Sequence, residues 1–235
     1  MPLRIYTDIE TLPPDEKLRE KLNAAKIRKL LRKRQAAEAC EGESCSEEEF
    51  RALALYGEYG RVLSIGVIVE RDGEVIQRGV FGRDRQTMLF HLEERRTLLG
   101  FWKLMSGFNP NRDLVVGHNV FWDIRFLIKR SIINRVQPTV KLSLARYRSQ
   151  PIYDTMQVWA DWDPKSYIGL VDLAEVLQLN MTKTEGMDGG KVYERFCEGC
   201  HEEIALYNLQ DCELVRAVYK VMEDPEGGEI PGSER

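Results

Sequence analysis

Residues 4–13 read RIYTDIETLP, an apolar-led run that ends on two acids, Asp8 and Glu10, one residue apart. Read as a buried β-strand over 3–9, the run alternates sides residue by residue. Asp8 and Glu10 then share a face at the strand's end, close enough to repel each other. Two like charges placed there need a counterpart, and the search for it organises the rest of the chain.

Outward from this strand, a highly charged stretch runs from Pro13 to about Phe50. Its cations come first, Lys17, Arg19, Lys21, Lys26, Arg28, Lys29, Arg32, Lys33 and Arg34, followed by Glu38, Glu41, Glu43, Glu47, Glu48 and Glu49. Leu18, Leu22, Ile27, Leu30 and Leu31 recur at roughly helical spacing. The pattern predicts a charged helical insertion over 14–50 with two helices, the first strongly basic from Lys17 to Arg34. That helix starts beside the acids, where a phosphate backbone could meet it; its leucines could equally pack on the domain or on a second copy of the chain, making a homo-oligomer.

Strand character resumes at VLSIGVIVE (62–70) and EVIQRGVFG (74–82), joined through Arg71-Asp72-Gly73, where Asp-Gly supplies the positive φ angles of a tight hairpin. Residues 86–105 read as a helix, DLVVGHN (113–119) as a fourth strand and FWDIRFLIKRSII (121–133) as the helix after it. PIYDT (151–155) reads as a fifth strand, and 170–179 and 201–222 as the closing helices. The last residues, 223–235, have the Gly, Pro and charge content of a disordered tail. Three early strands followed by alternating helix and strand predict an α/β fold, a mixed five-stranded sheet flanked by helices, as one domain over 1–222.

Composition narrows the function classes. A chain of 235 residues at 43% hydrophobic content supports one large core, and a net charge of −4 gives no global field for nucleic acid, so a basic binding surface must be local. Met1 leads almost directly into the strand without the regions of a signal peptide, and no apolar run approaches a membrane span, so a cytoplasmic protein with no membrane partner is expected. Five cysteines, an odd number, fit reduced thiols better than a disulfide framework.

Further acids fall at element ends. Asp123 lies in the helix after the fourth strand among Val115, Val116, Phe126 and Leu127, and Asp211 lies in the last helix with Tyr207 one turn earlier on the same face. Singly, each acid reads as a helix cap or a solvated charge; together they form a constellation. Asp8-x-Glu10, His118-Asn119-x-x-x-Asp123 and Tyr207-x-x-x-Asp211 resemble, in order and element, the three motifs of the DEDD superfamily of 3′-5′ exonucleases. Tyr207 four residues before the last acid, with Leu206 where the other subclass has His, resembles the tyrosine subclass. LVDLAEVLQL, KTEGMDGGKVYERF and IALYNLQDC are similar to free-standing exonucleases related to the proofreading domain of family B DNA polymerases, and the resemblance spans residues 3 to about 222. Trp122 departs conservatively from the Phe common before the second-motif acid, and the insertion lies outside the motifs.

The resemblance implies a ribonuclease H-like fold and a metal-dependent exonuclease that works on the 3′ ends of single-stranded DNA or RNA, DNA favoured, releasing nucleoside 5′-monophosphates. Converging carboxylates are costly unless a cation neutralises them, and hard oxygen ligands suit Mg²⁺ or Mn²⁺. Two such ions about 4 Å apart can activate a water and stabilise the leaving oxygen. Asp8 would bridge both ions, Glu10 and Asp211 would hold the one that carries the attacking water, and Asp123 would complete the other's shell through water. Tyr207 would orient that water or help remove its proton, orientation being favoured because a phenol near pKa 10 is a poor base at neutral pH.

Thr11, Leu12, His118, Asn119, Phe121 and Trp122 are the candidate substrate-binding residues. His118 and Asn119 either contact substrate or satisfy backbone groups at a strand end; Phe121 and Trp122 could stack on bases, one of them being core. Asp154 reads as a helix N-cap. CEGCH (197–201) matches a c-type haem attachment pattern, but it leads straight into the helix carrying Tyr207 in a chain read as cytoplasmic, and haem is rejected. A zinc site of Cys197 and Cys200 with Cys40 and Cys45 has an unusual second spacing. Two rivals to the exonuclease stand: a nucleic-acid-binding module of the same fold without chemistry, and a ribonuclease H-type endonuclease, against which the Tyr207–Asp211 pairing argues.

Overall fold

The computed structural model describes residues 2–22, 27, 29, 47–179 and 186–226. Five strands form one mixed sheet: β1 (Leu3–Leu12), β2 (Arg61–Arg71), β3 (Glu74–Phe81), β4 (Leu114–Gly117) and β5 (Ile152–Asp154), in the order β3-β2-β1-β4-β5. The pairs β1–β2 and β2–β3 are antiparallel, and β4 is parallel to both β1 and β5. All five predicted strands are present. The β2–β3 hairpin turns where expected, with both Asp72 (φ 58°) and Gly73 (φ 83°) in the left-handed region.

The central strand is buried along both faces, with Ile5, Thr7 and Ile9 on one and Tyr6, Glu10 and Leu12 on the other, although half of its ten residues are polar or charged. Leu3, Ile5 and Ile9 enter the main core with Leu98, Phe101, Ile124 and Leu127. Tyr6 and Leu12 lie in two clusters on the opposite side that include residues of the last helix, so the even-numbered face, with Asp8 and Glu10, is turned toward that helix.

Eight α-helices among the described residues are labelled in chain order: α1 (Glu16–Lys21), α2 (Glu47–Arg51), α3 (Glu94–Leu104), α4 (Val120–Ile133), α5 (Thr155–Trp159), α6 (Leu170–Val176), α7 (Val192–Cys197) and α8 (His201–Glu223). A buried ion pair ties α4 to α3 and the sheet. Arg130 donates to both Glu94 oxygens at 2.8 and 2.7 Å, and Glu94 also accepts the Val62 N–H at 2.8 Å.

Three expectations change. The helix read over 86–105 begins only at Glu94, because the Asp84 side chain accepts the N–H groups of Gln86 and Thr87 and turns the chain, and Met88 takes φ 60°. The basic helix read from Lys17 is broken after Lys21, and the described residues Ile27 and Lys29 are again helical. Leu22 is extended at the break, and it buries with Ile27, Phe50 and Leu53. Most of its remainder, including Arg28 and 30–34, lies outside the described residues, as do Cys40, Cys45 and the tail beyond 226. The helix over 170–179 ends at Val176, with Gln178 at φ 56°.

Candidate active site

The site grows from the point where β1 outruns β4. The parallel pairing covers Arg4 to Tyr6, so beyond it the N–H groups on that edge of β1 lack a strand partner. Asp123, in the first turn of α4, takes one of them: Ile9 N–H donates to Asp123 Oδ1 at 3.2 Å. Two glycines bring the pieces together. At Gly117, between β4 and α4, a Cβ would lie 2.6 Å from the Val120 side chain and 2.9 Å from the Thr7 carbonyl, so only glycine admits the turn this close to β1. Gly66 stands opposite Asp8 across the β1–β2 pair, and its bare Cα lets α8 settle on the sheet.

Just past Glu10, β2 carries a bulge: Glu10 faces Ser64 but Thr11 faces Val62, leaving Leu63 as the extra residue. The Ser64 hydroxyl donates to Asn208 Oδ1 at 3.2 Å, and Asn208 Nδ2 donates to Asp8 Oδ2 at 2.8 Å. Asn208 is fully buried one position after Tyr207. The sequence reading missed it, although its place three residues before Asp211, on the same helix face, was visible.

Asp8, Glu10 and Asp211 each present a carboxylate oxygen within 4.8 Å of the others, drawn from two elements at opposite ends of the chain. Glu10 and Asp211 are buried. All three donors are hard oxygens, a set suited to Mg²⁺ or Mn²⁺ and poorly suited to soft metals. Asp123 is also buried, and burial first, then the charges of Asp8 and Asp154, push its pKa well above the carboxylate range. A cation nearby would reverse that penalty.

Tyr207 is buried on the same face of α8. Burial, then the charges of Asp211, Glu10 and Asp8, raise its pKa far beyond the ordinary phenol value, and its hydroxyl is bonded to Asp211. These causes hold the proton on the phenol oxygen, which donates it to Asp211.

Among the remaining predicted residues, Asp154 is a cap, as read: it accepts from Gln157 N–H at 3.3 Å, and it also holds the start of α4 through Asn119 N–H (2.9 Å) and Phe121 N–H (3.3 Å). His118 Nδ1 lies 2.9 Å from Thr155 Oγ1 and Nε2 lies 2.9 Å from the Ile168 carbonyl, so both ring nitrogens contact the protein. Asn119 is exposed in the left-handed region at φ 59°, directly before α4. Phe121 is core, at 2% exposure, and cannot offer a face to a base; Trp122 is half-buried against Phe126. Thr11 is half-buried and Leu12 is buried in the cluster that contains Tyr207. Of the proposed zinc ligands, Cys200 Sγ lies 4.0 Å from Glu198 and Cys197 is exposed, while His201 of the same CEGCH segment accepts the Phe90 N–H at Nδ1.

The family model described as a predicted 3′-5′ exonuclease related to the exonuclease domain of PolB matches residues 55–223. The chain belongs to that family. Asp123, Tyr207 and Asp211 of this exonuclease-family chain fall inside the matched stretch, whereas β1 with Asp8 and Glu10 lies ahead of it; the fold brings the two parts into one site. The mixed α/β sheet has the ribonuclease H-like arrangement expected of such exonucleases. No curated protein matches the sequence. Among the described residues no helix is long and apolar enough to cross a membrane.

Proposed function

We propose that the protein is a metal-dependent 3′-5′ exonuclease that removes nucleoside 5′-monophosphates from single-stranded nucleic acid, DNA in preference to RNA. The observation that carries the reading is the convergence of Asp8, Glu10 and Asp211 oxygens within 4.8 Å, in a chain of an exonuclease family. Asp8, Glu10 and Asp211 would hold divalent ions, Mg²⁺ or Mn²⁺, with Asp123 beside Asp8 completing the set. Bound there, such ions supply charge neutralisation and an activated water for in-line displacement at phosphorus.

The protein's own groups do the rest. Asn208 fixes the rotamer of Asp8 through its 2.8 Å bond, so the ligand oxygen is aimed before any ion arrives. Tyr207, whose hydroxyl proton is donated to Asp211, accepts a hydrogen bond from the attacking water and so orients it. The Ile9 N–H keeps the Asp123 carboxylate at the strand's edge.

The test is purified protein with Mg²⁺ or Mn²⁺ on 5′-labelled single-stranded DNA and RNA. A ladder shortening from the 3′ end, blocked by a 3′-phosphorothioate cap and lost in Asp8→Ala, is the expected result. Internal cuts in a 3′-capped strand would mean an endonuclease, and binding without any hydrolysis would mean a module that has kept the fold and lost the chemistry.

A further inference from the structure

Between Asp123 and Asp154 the chain carries no acidic residue at all, but seven cations: Arg125, Lys129, Arg130, Arg135, Lys141, Arg146 and Arg148. Lys129 and Arg130 are paired with Glu58 and Glu94. Arg125 lies over the Phe121 ring at 5.8 Å, and the other four make no ion pair among the described residues. The connector after α4 therefore presents a local positive surface in a chain whose net charge is −4.

Two aromatic residues stand at this surface in costly backbone conformations. Tyr147 (φ 61°) and Trp162 (φ 64°) both occupy the left-handed region, which aromatic side chains rarely enter. Trp162 is the second residue past the Ala160 cap of α5, after Asp161 (φ 48°), and its N–H donates to the Gln157 carbonyl at 2.8 Å to close the helix end. The two rings meet at 5.6 Å between centroids, and Trp162 in turn lies 6.3 Å from Phe121, two residues before Asp123. Tyr147 is nonetheless 72% exposed, so its outer face is bare. Tyr147 also lines an open groove of about 550 Å³ together with Asn111, Lys141, Ser143, Arg148 and Pro151, the last just ahead of β5, and the lining holds two cations and no acid. Asp161 and Asp163 flank Trp162, and the Asp163 carboxylate is turned onto the Lys165 N–H at 3.1 Å, so attraction for anions comes from the connector side.

We propose that Tyr147 and Trp162, with Lys141 and Arg148 along the groove, form a platform for the single strand upstream of the 3′ end being cut. A base stacks on the exposed Tyr147 ring, which Trp162 backs, and backbone phosphates lie against Lys141 and Arg148. Stacking on an aromatic face combined with a cationic track is how single strands are held without sequence preference. The chain of rings through Phe121 joins the platform to the helix turn that carries Asp123. The inference rests on the exonuclease reading and adds to it a residue set that governs affinity for longer strands.

The experiment measures binding in EDTA, by anisotropy of 5′-labelled single-stranded oligodeoxynucleotides of three and twelve residues, alongside KM and kcat in Mn²⁺. Tyr147→Ala is expected to weaken twelve-residue binding about tenfold, the lower range for losing one base–aromatic stack, and to raise KM with kcat little changed. Tyr147→Phe, which keeps the ring, is expected to bind as wild type. Lys141→Ser with Arg148→Ser should lower the slope of log K against log salt by about 1.4, two phosphate contacts on a single strand. Tyr147 is exposed, so thermal melts of these variants should superimpose on wild type. Unchanged twelve-residue affinity, KM and salt slope in a protein that still trims oligonucleotides would overturn the platform alone. A wild-type protein that neither binds nor cuts any oligonucleotide would overturn the exonuclease reading and the platform with it.

Discussion

Gly66→Ala tests how closely the last helix must approach the sheet for the acids to meet. Gly66 sits directly across from Asp8, and a Cβ at this position would lie 2.8 Å from Cys212 Sγ and 2.9 Å from both the carbonyl oxygen and Oδ1 of Asn208. An ordinary contact needs about 3.5 Å, so α8 must retreat by about 0.7 Å. Two of the three obstructing atoms cannot swing away: the carbonyl is backbone, and Asn208 Oδ1 is pinned by the Ser64 hydroxyl at 3.2 Å. Overpacking of this kind costs about 1–3 kcal/mol, read as a lower urea midpoint with unchanged slope. The same retreat carries Asn208 and Asp211 away from Asp8, and a displacement approaching 1 Å lowers kcat by roughly tenfold to a hundredfold at saturating Mn²⁺. Adding Cys212→Ala should recover only part of the stability, since the Asn208 carbonyl still obstructs. A Gly66→Ala protein with wild-type kcat and stability within about 0.5 kcal/mol would refute the argument that this glycine sets the geometry of the site.

Asn208→Ala removes the hydrogen bond that aims Asp8 and should raise the Mn²⁺ concentration for half-maximal rate by about ten- to a hundredfold, as measured by metal titration of the nuclease activity. Tyr207→Phe should lower kcat while leaving the shape of the pH–rate profile between about pH 7 and 9 unchanged, because Tyr207 is held protonated and adds no limb there; a limb that vanishes in the variant would make it a base. Burial works to raise the Asp113 pKa, but its bonds to Arg112 and to the Leu3 and Asn109 N–H groups outweigh it and pull the value down to about 2. A carboxylate whose folded pKa is depressed stabilises the fold above its unfolded value near 4 and loses that contribution as pH falls toward 2. Asp113→Asn should therefore cost about 2 kcal/mol at pH 7, with the gap from wild type narrowing as urea unfolding is repeated from about pH 4 down to 2.

Strand content was legible because its signals are local. β2 is buried on both sides and so reads as an apolar run, β1 shows Leu3, Ile5 and Ile9 at alternate positions, and the Asp72-Gly73 turn declares itself by the φ angles it needs. Helix limits were less legible where a side chain outcompeted the helix: Asp84 captures two N–H groups and delays α3 to Glu94, and Leu22 leaves α1 to join Ile27, Phe50 and Leu53. The motif acids were visible as residue types at spacings, yet the family match begins at residue 55 and does not reach the first pair.

The sequence by itself determined which elements form and which acids stand at their ends, because both follow from hydrophobic period, turn chemistry and spacing within a few residues. Only the tertiary structure decided that Asp8 and Glu10 meet Asp211, that Asn208 aims Asp8, that Phe121 is core, and that Tyr147 and Trp162 share a surface. Each of these contacts except the burial of Phe121 joins named residues far apart in the chain or on different elements. They depend on how closely α8 and α4 approach the sheet, which the missing side chains of Gly66 and Gly117 permit; no local pattern of hydrophobicity or charge encodes that distance.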